Sequence, residues 1–288
     1  MRVNIGLAQI YPKLGHVSEN LDKHLQYIDT AISQGVDLIV FPELSLTGYQ
    51  VQDLVSDVAI QATPTDLVFG RLLDASRAVD VMFGFVERDA RNRYYIAAAY
   101  LSQGEIIHVH HKVYLPTYAM FDEGRYFDQG ESIRAFDTRF GRVGMLICEE
   151  FWHISPAYLL WLDGADILLL QSASPSYGLG ADEQLGSTRR VELINQAHGL
   201  FSTNYVIHCN RVGYEDGKTF WGGSSVVDPN GQFLTKGQYF EEMLITQAID
   251  LNQIARTRIG SPMLRDERPL MVQRELARIL SANSEASR

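Results

Sequence analysis

Three side chains with complementary chemistry follow three different predicted strands. Glu43, Lys112 and Cys148 each come one or two residues after an apolar run of strand length. In α/β sheets, ligands bind in the crevice beyond the carboxyl ends of the strands. We therefore expect the carboxylate, the ammonium and the thiol to converge in one site.

A thiol, an ammonium and a carboxylate can together perform nucleophilic catalysis. A free thiol is mostly protonated at neutral pH, and an ammonium such as that of Lys112 favours the thiolate. Glu43 could take the proton of Cys148 and later hand it to a leaving amine. Lys112 and the backbone N–H of Glu149 could stabilise an oxyanion on a substrate carbonyl. Spacing alone does not favour this interpretation, because an isolated cysteine at a strand end is more often a buried small hydrophobe.

The elements that must position these residues indicate a mixed α/β fold. Residues 3–10 and 36–41 have strand patterns, and residues 20–33 between them carry apolar side chains at helical spacing, so this part predicts a β-α-β unit. Similar patterns predict further strands at residues 81–86, 95–101, 105–111, 143–147, 165–171, 205–210, 224–228 and 243–249, and helices at 66–79, 156–163 and 184–201.

Short turns join some of these strands directly, and strands joined by a short turn pair antiparallel. Residues 102–105 and 228–231 have hairpin composition, so we expect mixed sheets. Residues 35–40, GVDLIV, also echo residues 164–169, GADILL. A duplicated β-α-β arrangement and common loop chemistry account for this echo equally well.

Composition limits the class of protein. The chain has 288 residues, a formal charge of −10 and no run of Lys and Arg, which argues against a nucleic-acid partner. Its two cysteines cannot form a disulfide framework, and no stretch of 18 apolar residues occurs, so we expect no membrane span and a cytoplasmic location. No linker interrupts the sequence, which predicts one domain over residues 1–280 and a disordered tail at 281–288.

Three motifs in order resemble those of the nitrilase superfamily of carbon–nitrogen hydrolases. They are residues 41–49, FPELSLTGY, residues 111–116, HKVYLP, and residues 144–150, GMLICEE. The resemblance implies a Glu43–Lys112–Cys148 triad. It also implies a four-layer α-β-β-α sandwich with mixed sheets and subunits that pair as homodimers or higher homo-oligomers. No cofactor or metal is expected.

Within the superfamily, the chain is similar to the glutaminase domain of glutamine-dependent NAD synthetases. The similarity lies in residues 115–127, LPTYAMFDEGRYF, and residues 148–153, CEEFWH. It assigns the second, non-triad glutamate of the family to Glu123. We expect Tyr118, Glu149, Trp152 and Ser174 to bind substrate.

Two departures from those synthetases bear on the substrate. Residues 222–225, GGSS, lack the aspartate of a phosphate-binding loop and lead into a predicted strand, so ATP use is not expected. Residues 49–54, YQVQDL, differ from the PPEDLL of that branch. We therefore expect hydrolysis of a small linear, non-peptide amide with release of ammonia. An N-carbamoyl or nitrile hydrolase, a glutaminase subunit that feeds a partner synthetase, and a non-catalytic scaffold are the alternatives.

Histidines offer two further possibilities. His108 and His110 share a strand face with Lys112, and a cation beside two imidazoles disfavours a metal, so we expect a structural role for them. A Cys148–His dyad with His153 or His111 would resemble papain-like chemistry, but the surrounding motifs do not match those enzymes.

Overall fold

The computed structural model describes residues 1–177 and 186–286, and two six-stranded sheets form its centre. The strands of the first sheet are β1 (Arg2–Gln9), β2 (Leu38–Val40), β3 (Asp80–Arg88), β4 (Tyr94–Ser102), β5 (Glu105–His111) and β14 (Met243–Asp250). Those of the second are β6 (Phe136–Thr138), β7 (Gly141–Ile147), β8 (Ile167–Ser172), β9 (Tyr205–Asn210), β12 (Ser225–Val227) and β13 (Phe233–Lys236). The first sheet has the order β14-β1-β2-β3-β4-β5, and the second has the order β13-β12-β9-β8-β7-β6.

Both sheets are mixed, as the sequence predicted. Strands β1, β2 and β3 run parallel in the first sheet, and β7, β8 and β9 run parallel in the second. Antiparallel strands continue each sheet on both sides. The echoing segments at residues 35–40 and 164–169 lead into β2 and β8, which are the middle strands of the two parallel groups. Their equivalent positions agree with a repeated β-α-β arrangement.

Apolar side chains from alternate strand positions build the layers. Ile5 of β1 and Met145 of β7 belong to a core cluster shared by the two sheets, whereas Ala8 of β1 packs on the other face of the first sheet. Because both faces are covered, central strands are buried along their whole length.

Helices cover the outer face of each sheet and complete an α-β-β-α sandwich. Helices α1 (Val17–Ser33) and α3 (Leu67–Ala75) pack on the first sheet, with Ile28 and Phe69 among their buried residues. Helices α4 (Ile154–Leu162) and α5 (Gly186–Ser202) cover the second sheet through a separate cluster that includes Leu160 and Val191. The predicted four-layer fold with mixed sheets is therefore confirmed.

Several element boundaries differ from the predictions. Strand β2 covers Leu38–Val40 only and is shorter than the apolar run at residues 36–41; Pro42, which has no N–H to donate, follows its C-terminal end. The predicted helix at residues 184–201 begins outside the described residues. The sequence patterns did not predict the short helix α2 (Val55–Val58) or the hairpin of β10 (Val212–Glu215) and β11 (Lys218–Trp221).

Three helices also follow the last strand and were not predicted. They are α6 (Asn252–Gly260), α7 (Met263–Asp266) and α8 (Pro269–Ala286). The last of them includes residues 281–286 of the segment expected to be a disordered tail. Among the described residues, no helix is long and apolar enough to cross a membrane.

Candidate active site

The three reactive side chains meet at one edge of the sandwich. Strands β2 and β5 point the same way in the first sheet, because β5 reaches β3 through two antiparallel pairings. Lys112 directly follows β5 and Cys148 directly follows β7 of the other sheet, while Glu43 follows β2 by three residues. The expected convergence at strand ends is therefore present in the structure.

Lys112 lies between two carboxylates in the interior. Its Nζ is 2.7 Å from Oε1 of Glu43 and 2.8 Å from each carboxylate oxygen of Glu123, and its side chain is fully buried. Burial alone would lower the pKa of Lys112, but the charges of Glu123 and Glu43 outweigh it and raise that pKa. The lysine thus stays an ammonium and donates hydrogen bonds in fixed directions.

Cys148 lies within the field of this charge cluster. Burial and the charge of Glu43 raise the pKa of the Cys148 thiol well above its usual range, and Lys112 only partly offsets them. The resting group is therefore a thiol, which needs a base before it can attack. The backbone N–H of Ala173 links the two partners, since it donates to Oε2 of Glu43 at 2.8 Å and also interacts with the thiol.

The backbone at Cys148 is strained in the way expected of a nucleophile on a sharp turn. Its φ is +48°, and a 3-10 turn from Cys148 to Trp152 begins there. Non-glycine residues rarely adopt this region, and such strain clusters at functional sites. The amide of Glu149 follows directly after the nucleophile in this turn.

Gly84 gives the loop that carries Glu43 its space. A Cβ at this position on β3 would lie 2.4 Å from the backbone nitrogen of Leu44 and 2.9 Å from Cα of Glu43. Any side chain would therefore push the carboxylate away from Lys112.

Glu123 is held by a residue that sequence reasoning missed. Tyr49 donates its hydroxyl hydrogen to Oε1 of Glu123 at 2.5 Å, and the carboxyl is 5% exposed. Tyr49 is part of the first recognised motif, so its position was available, but nothing local indicated a partner 74 residues away. Ala173, whose N–H donates to Glu43 from 130 residues away, was missed for the same reason.

Burial brings the pKa of Glu123 close to neutrality. Burial raises its pKa from the ordinary 4.5 to about 7, although the charge of Lys112 opposes this and that of Glu43 adds to it. When the pKa of a carboxyl is raised in the folded state, its contribution to stability is fully present at pH values below the unfolded pKa. This contribution is lost as the pH rises through the folded value.

Glu123→Gln should therefore change how stability depends on pH. Between pH 5 and pH 8 we expect the free energy of unfolding of the unaltered chain to fall relative to the variant, by on the order of 1–3 kcal/mol. Urea unfolding of both proteins across this range measures the difference. Parallel pH profiles would contradict the assigned titration of Glu123.

The four residues expected to bind substrate line one pocket beside the thiol. Tyr118, Glu149, Trp152 and Ser174 all border it, together with Cys148. Tyr118 donates its hydroxyl hydrogen to Oε2 of Glu149 at 2.8 Å, and Ser174 is buried at the base.

Two further aromatic side chains belong to the wall of this pocket. Phe121 and Tyr177 also line the pocket, but Trp221 is fully buried in the core under α5, where it packs against Tyr239.

The histidines have partners other than the thiol. The ring of His153 stacks on that of Tyr114, and its Nε2 lies 3.6 Å from Oε1 of Glu149. His111 lies 2.6 Å from Glu87. Within residues 1–177 and 186–286, no group of three or more His, Cys, Asp or Glu side chains could hold a metal ion.

Fold and site together define a class of protein. The α-β-β-α sandwich, with a thiol, a buried ammonium and two carboxylates at one edge, agrees with the resemblance of the sequence motifs to the nitrilase superfamily. The model of the carbon-nitrogen hydrolase family matches residues 4–259, and the chain belongs to this family.

The chain is also similar to a particular curated protein. It is 35% identical over 267 residues to a glutamine-dependent NAD(+) synthetase of Thermotoga maritima, a match that covers 92% of this chain and 45% of the relative. The chain thus spans about half the length of this synthetase.

Two solved structures share the fold. One is a glutamine-dependent NAD+ synthetase of Acinetobacter baumannii, with a TM-score of 0.78 and 27% identity over 88% of this chain and 47% of that one. The other is a carbon-nitrogen hydrolase of Helicobacter pylori, with a TM-score of 0.84 and 24% identity over 96% and 99% of the two chains.

Proposed function

We propose that the chain hydrolyses a small linear, non-peptide amide and releases ammonia through a thioester on Cys148. The observation that carries the proposal is the fully buried Lys112, whose Nζ lies within 2.8 Å of both Glu43 and Glu123 beside the thiol. Burying an ammonium with two carboxylates carries a large desolvation penalty and is a poor way to gain stability, and such perturbed clusters are typical of functional sites.

The first half of the reaction forms the thioester. Glu43 takes the proton of Cys148 as the sulfur attacks the carbonyl carbon of the amide. The oxyanion that forms accepts hydrogen bonds from Lys112 and from the N–H of Glu149. Glu43 then gives its proton to the amide nitrogen, the C–N bond breaks, and ammonia leaves.

The second half releases the acid. A water molecule loses a proton to Glu43 and attacks the thioester carbon, and the same two donors stabilise the second oxyanion. The C–S bond breaks, and the sulfur recovers the proton from Glu43. The raised pKa of Cys148 favours this return to the neutral thiol.

Glu149 suggests which amides fit. It places a carboxylate in the pocket wall, where Tyr118 holds one of its oxygens and leaves acceptor capacity on the group. A cationic amine at the far end of the substrate would pair with it, as the α-ammonium of glutamine could. The similarity to glutamine-dependent synthetases supports a glutamine-like amide.

Ammonia release over a substrate panel tests the proposal. The panel holds glutamine, ω-amides with and without an amino group, N-carbamoyl amino acids and nitriles. We expect turnover of ω-amides, with a KM for amine-bearing amides that rises about tenfold in Glu149→Gln and a KM for amine-free amides that stays unchanged. Turnover of carbamoyl compounds or nitriles alone would replace the amide proposal with the corresponding alternative.

A glutaminase subunit that passes ammonia to a separate synthetase is a second candidate. The observation that favours it is the similarity to glutamine-dependent NAD synthetases. An ammonia-accepting partner would then raise the product yield without altering the chemistry at Cys148.

The homo-oligomer expected from the sequence stays a prediction. Helices α4 and α5 carry exposed apolar side chains, among them Ile154 at 84% and Phe201 at 66% exposure, and they border an apolar cleft of about 450 Å³. Such a surface is of the kind that a second copy covers.

A further inference from the structure

A buried carboxylate outside the reacting set joins the two segments that carry Lys112 and Cys148. Glu150 is fully buried two residues after the nucleophile. Its Oε2 accepts a hydrogen bond from the backbone N–H of Ile147 at 2.6 Å, and its Oε1 accepts one from the N–H of Val113 at 2.7 Å. Each of these amides belongs to the chain neighbour of a reactive residue.

A third hydrogen bond orients this carboxylate. Nε2 of His110 lies 3.0 Å from Oε1 and 2.8 Å from Oε2 of Glu150. Because a carboxylate only accepts, Nε2 donates to it. His110 stands two residues before Lys112 on β5, so two of the three donors come from the lysine segment and one from the cysteine segment.

The hydrogen bonds of Glu150 form a bridge between two different sheets, because the lysine segment belongs to one sheet and the cysteine segment to the other. β5 is the edge strand of the first sheet, while β7 lies inside the second. Among the residues that the structure describes, no backbone pairing joins β5 to β7, so the ladder of neither sheet sets the distance from lysine to thiol. Glu150 connects both strand ends through charge-assisted hydrogen bonds, which are stronger and more directional than neutral ones.

We propose that Glu150 is a positioning residue for the amide hydrolysis, holding the Lys112 strand end and the Cys148 turn in catalytic register through the N–H groups of Val113 and Ile147. The inference rests on the proposed function for its kinetic readout only. Glu150 does not touch the substrate pocket in the described residues, and its effect acts through the two segments that it joins.

Glu150→Gln probes the bridge with almost no change in volume. An amide has one oxygen and one NH2 group, so the NH2 must face a backbone N–H at either Val113 or Ile147. One tether then becomes a repulsive contact. Misplacement of a reacting group by about 1 Å can reduce a rate by about 10²-fold.

Asp80 supplies a matched control at the opposite end of the same sheet. It is 1% exposed and accepts hydrogen bonds from Tyr100, Ser102 and Arg139 at 2.7–2.9 Å. Like Glu150, Asp80 is a buried carboxylate that accepts hydrogen bonds from three donors, so Asp80→Asn should destabilise the fold by a similar amount. Asp80 begins β3, however, and lies away from the strand ends that carry the site.

The experiment measures kcat and KM for the best amide and, separately, the rate at which chloroacetamide labels Cys148, resolved from Cys209 by mass spectrometry. For Glu150→Gln we expect kcat and the labelling rate each to fall about 30- to 100-fold, with KM within about threefold. Asp80→Asn should lower the urea midpoint to a similar extent but keep both rates within about twofold.

Two results would overturn the positioning role. One is a Glu150→Gln protein whose rates stay within about threefold of the unaltered chain, and the other is an Asp80→Asn protein that loses as much. If Glu150→Gln does not fold, His110→Gln takes its place, because it keeps both backbone tethers but loses the orienting imidazole. An about 3- to 10-fold slower labelling then supports the role, and unchanged labelling contradicts it. If no amide in the panel is hydrolysed, the proposed function fails, while the labelling comparison still decides the role of Glu150.

Discussion

Cys148→Ala is expected to lower ammonia release at least about 10⁴-fold while the chain keeps its fold. Without the sulfur no thioester can form, and water would have to attack the amide directly. The loss of one buried sulfur atom costs on the order of 1 kcal/mol, which a domain of this size tolerates. Steady-state ammonia release and thermal unfolding, measured on the same preparation, test both parts.

Cys209→Ala is the matched control for this variant. Cys209 is the other free cysteine of the chain, and burial raises the pKa of its thiol as well. Its Sγ lies 3.5 Å from the carbonyl oxygen of Ala8, and no carboxylate or ammonium is among the groups that act on it. Turnover should stay within about threefold of the unaltered chain. Equal losses in the two variants would show that packing, not nucleophilic attack, explains the effect of Cys148.

Glu43→Gln should reduce kcat about 10²- to 10⁴-fold, because it removes the group that moves every proton in the proposed cycle. The side chain keeps its volume. In the unaltered chain, the Glu43 carboxylate accepts a hydrogen bond from Lys112 through Oε1 and one from the N–H of Ala173 through Oε2. The glutamine side chain has one acceptor oxygen, so it can accept only one of these two bonds in the same geometry. Steady-state kinetics with the best amide of the panel measure the loss.

The same variant should separate thiol reactivity from turnover. The charge of Glu43 raises the pKa of Cys148, so its removal lowers that pKa. We expect the pH profile of iodoacetamide labelling at Cys148 to move to lower pH in Glu43→Gln, although turnover is lost.

Glu87→Gln controls for the loss of a partly buried carboxylate, since Glu87 pairs with His111 away from the thiol. We expect its turnover to stay within about threefold. An unshifted labelling profile in Glu43→Gln, or turnover lost equally in Glu87→Gln, would contradict the base role of Glu43.

Local patterns in the sequence predicted much of the secondary structure. The alternation and apolar runs around β4, β5 and β9 indicated those strands to within a residue or two, because side-chain period and turn chemistry are properties of short segments. These patterns did not predict the short hairpin β10–β11 or the helices after β14. The strands of the hairpin have only four residues each, and Leu270, Leu276 and Leu280 of α8 are exposed.

For the site, the sequence by itself determined which reactive side chains stand at strand ends, and the motifs around Glu43, Lys112 and Cys148 identified the superfamily. Only the tertiary structure decided their electrostatics. A pKa depends on burial and on charges that arrive from remote segments, such as Glu123 held by Tyr49 from 74 residues away.

The bridge at Glu150 shows the same division. The sequence determined that a second acidic residue follows the nucleophile, as it does in many solvated turns. The pairing of two sheets face to face turned that residue inward, against amides 3 and 37 residues away. Contacts between different sheets carry no local periodicity, and so the distance from lysine to thiol is a property of the packed sandwich.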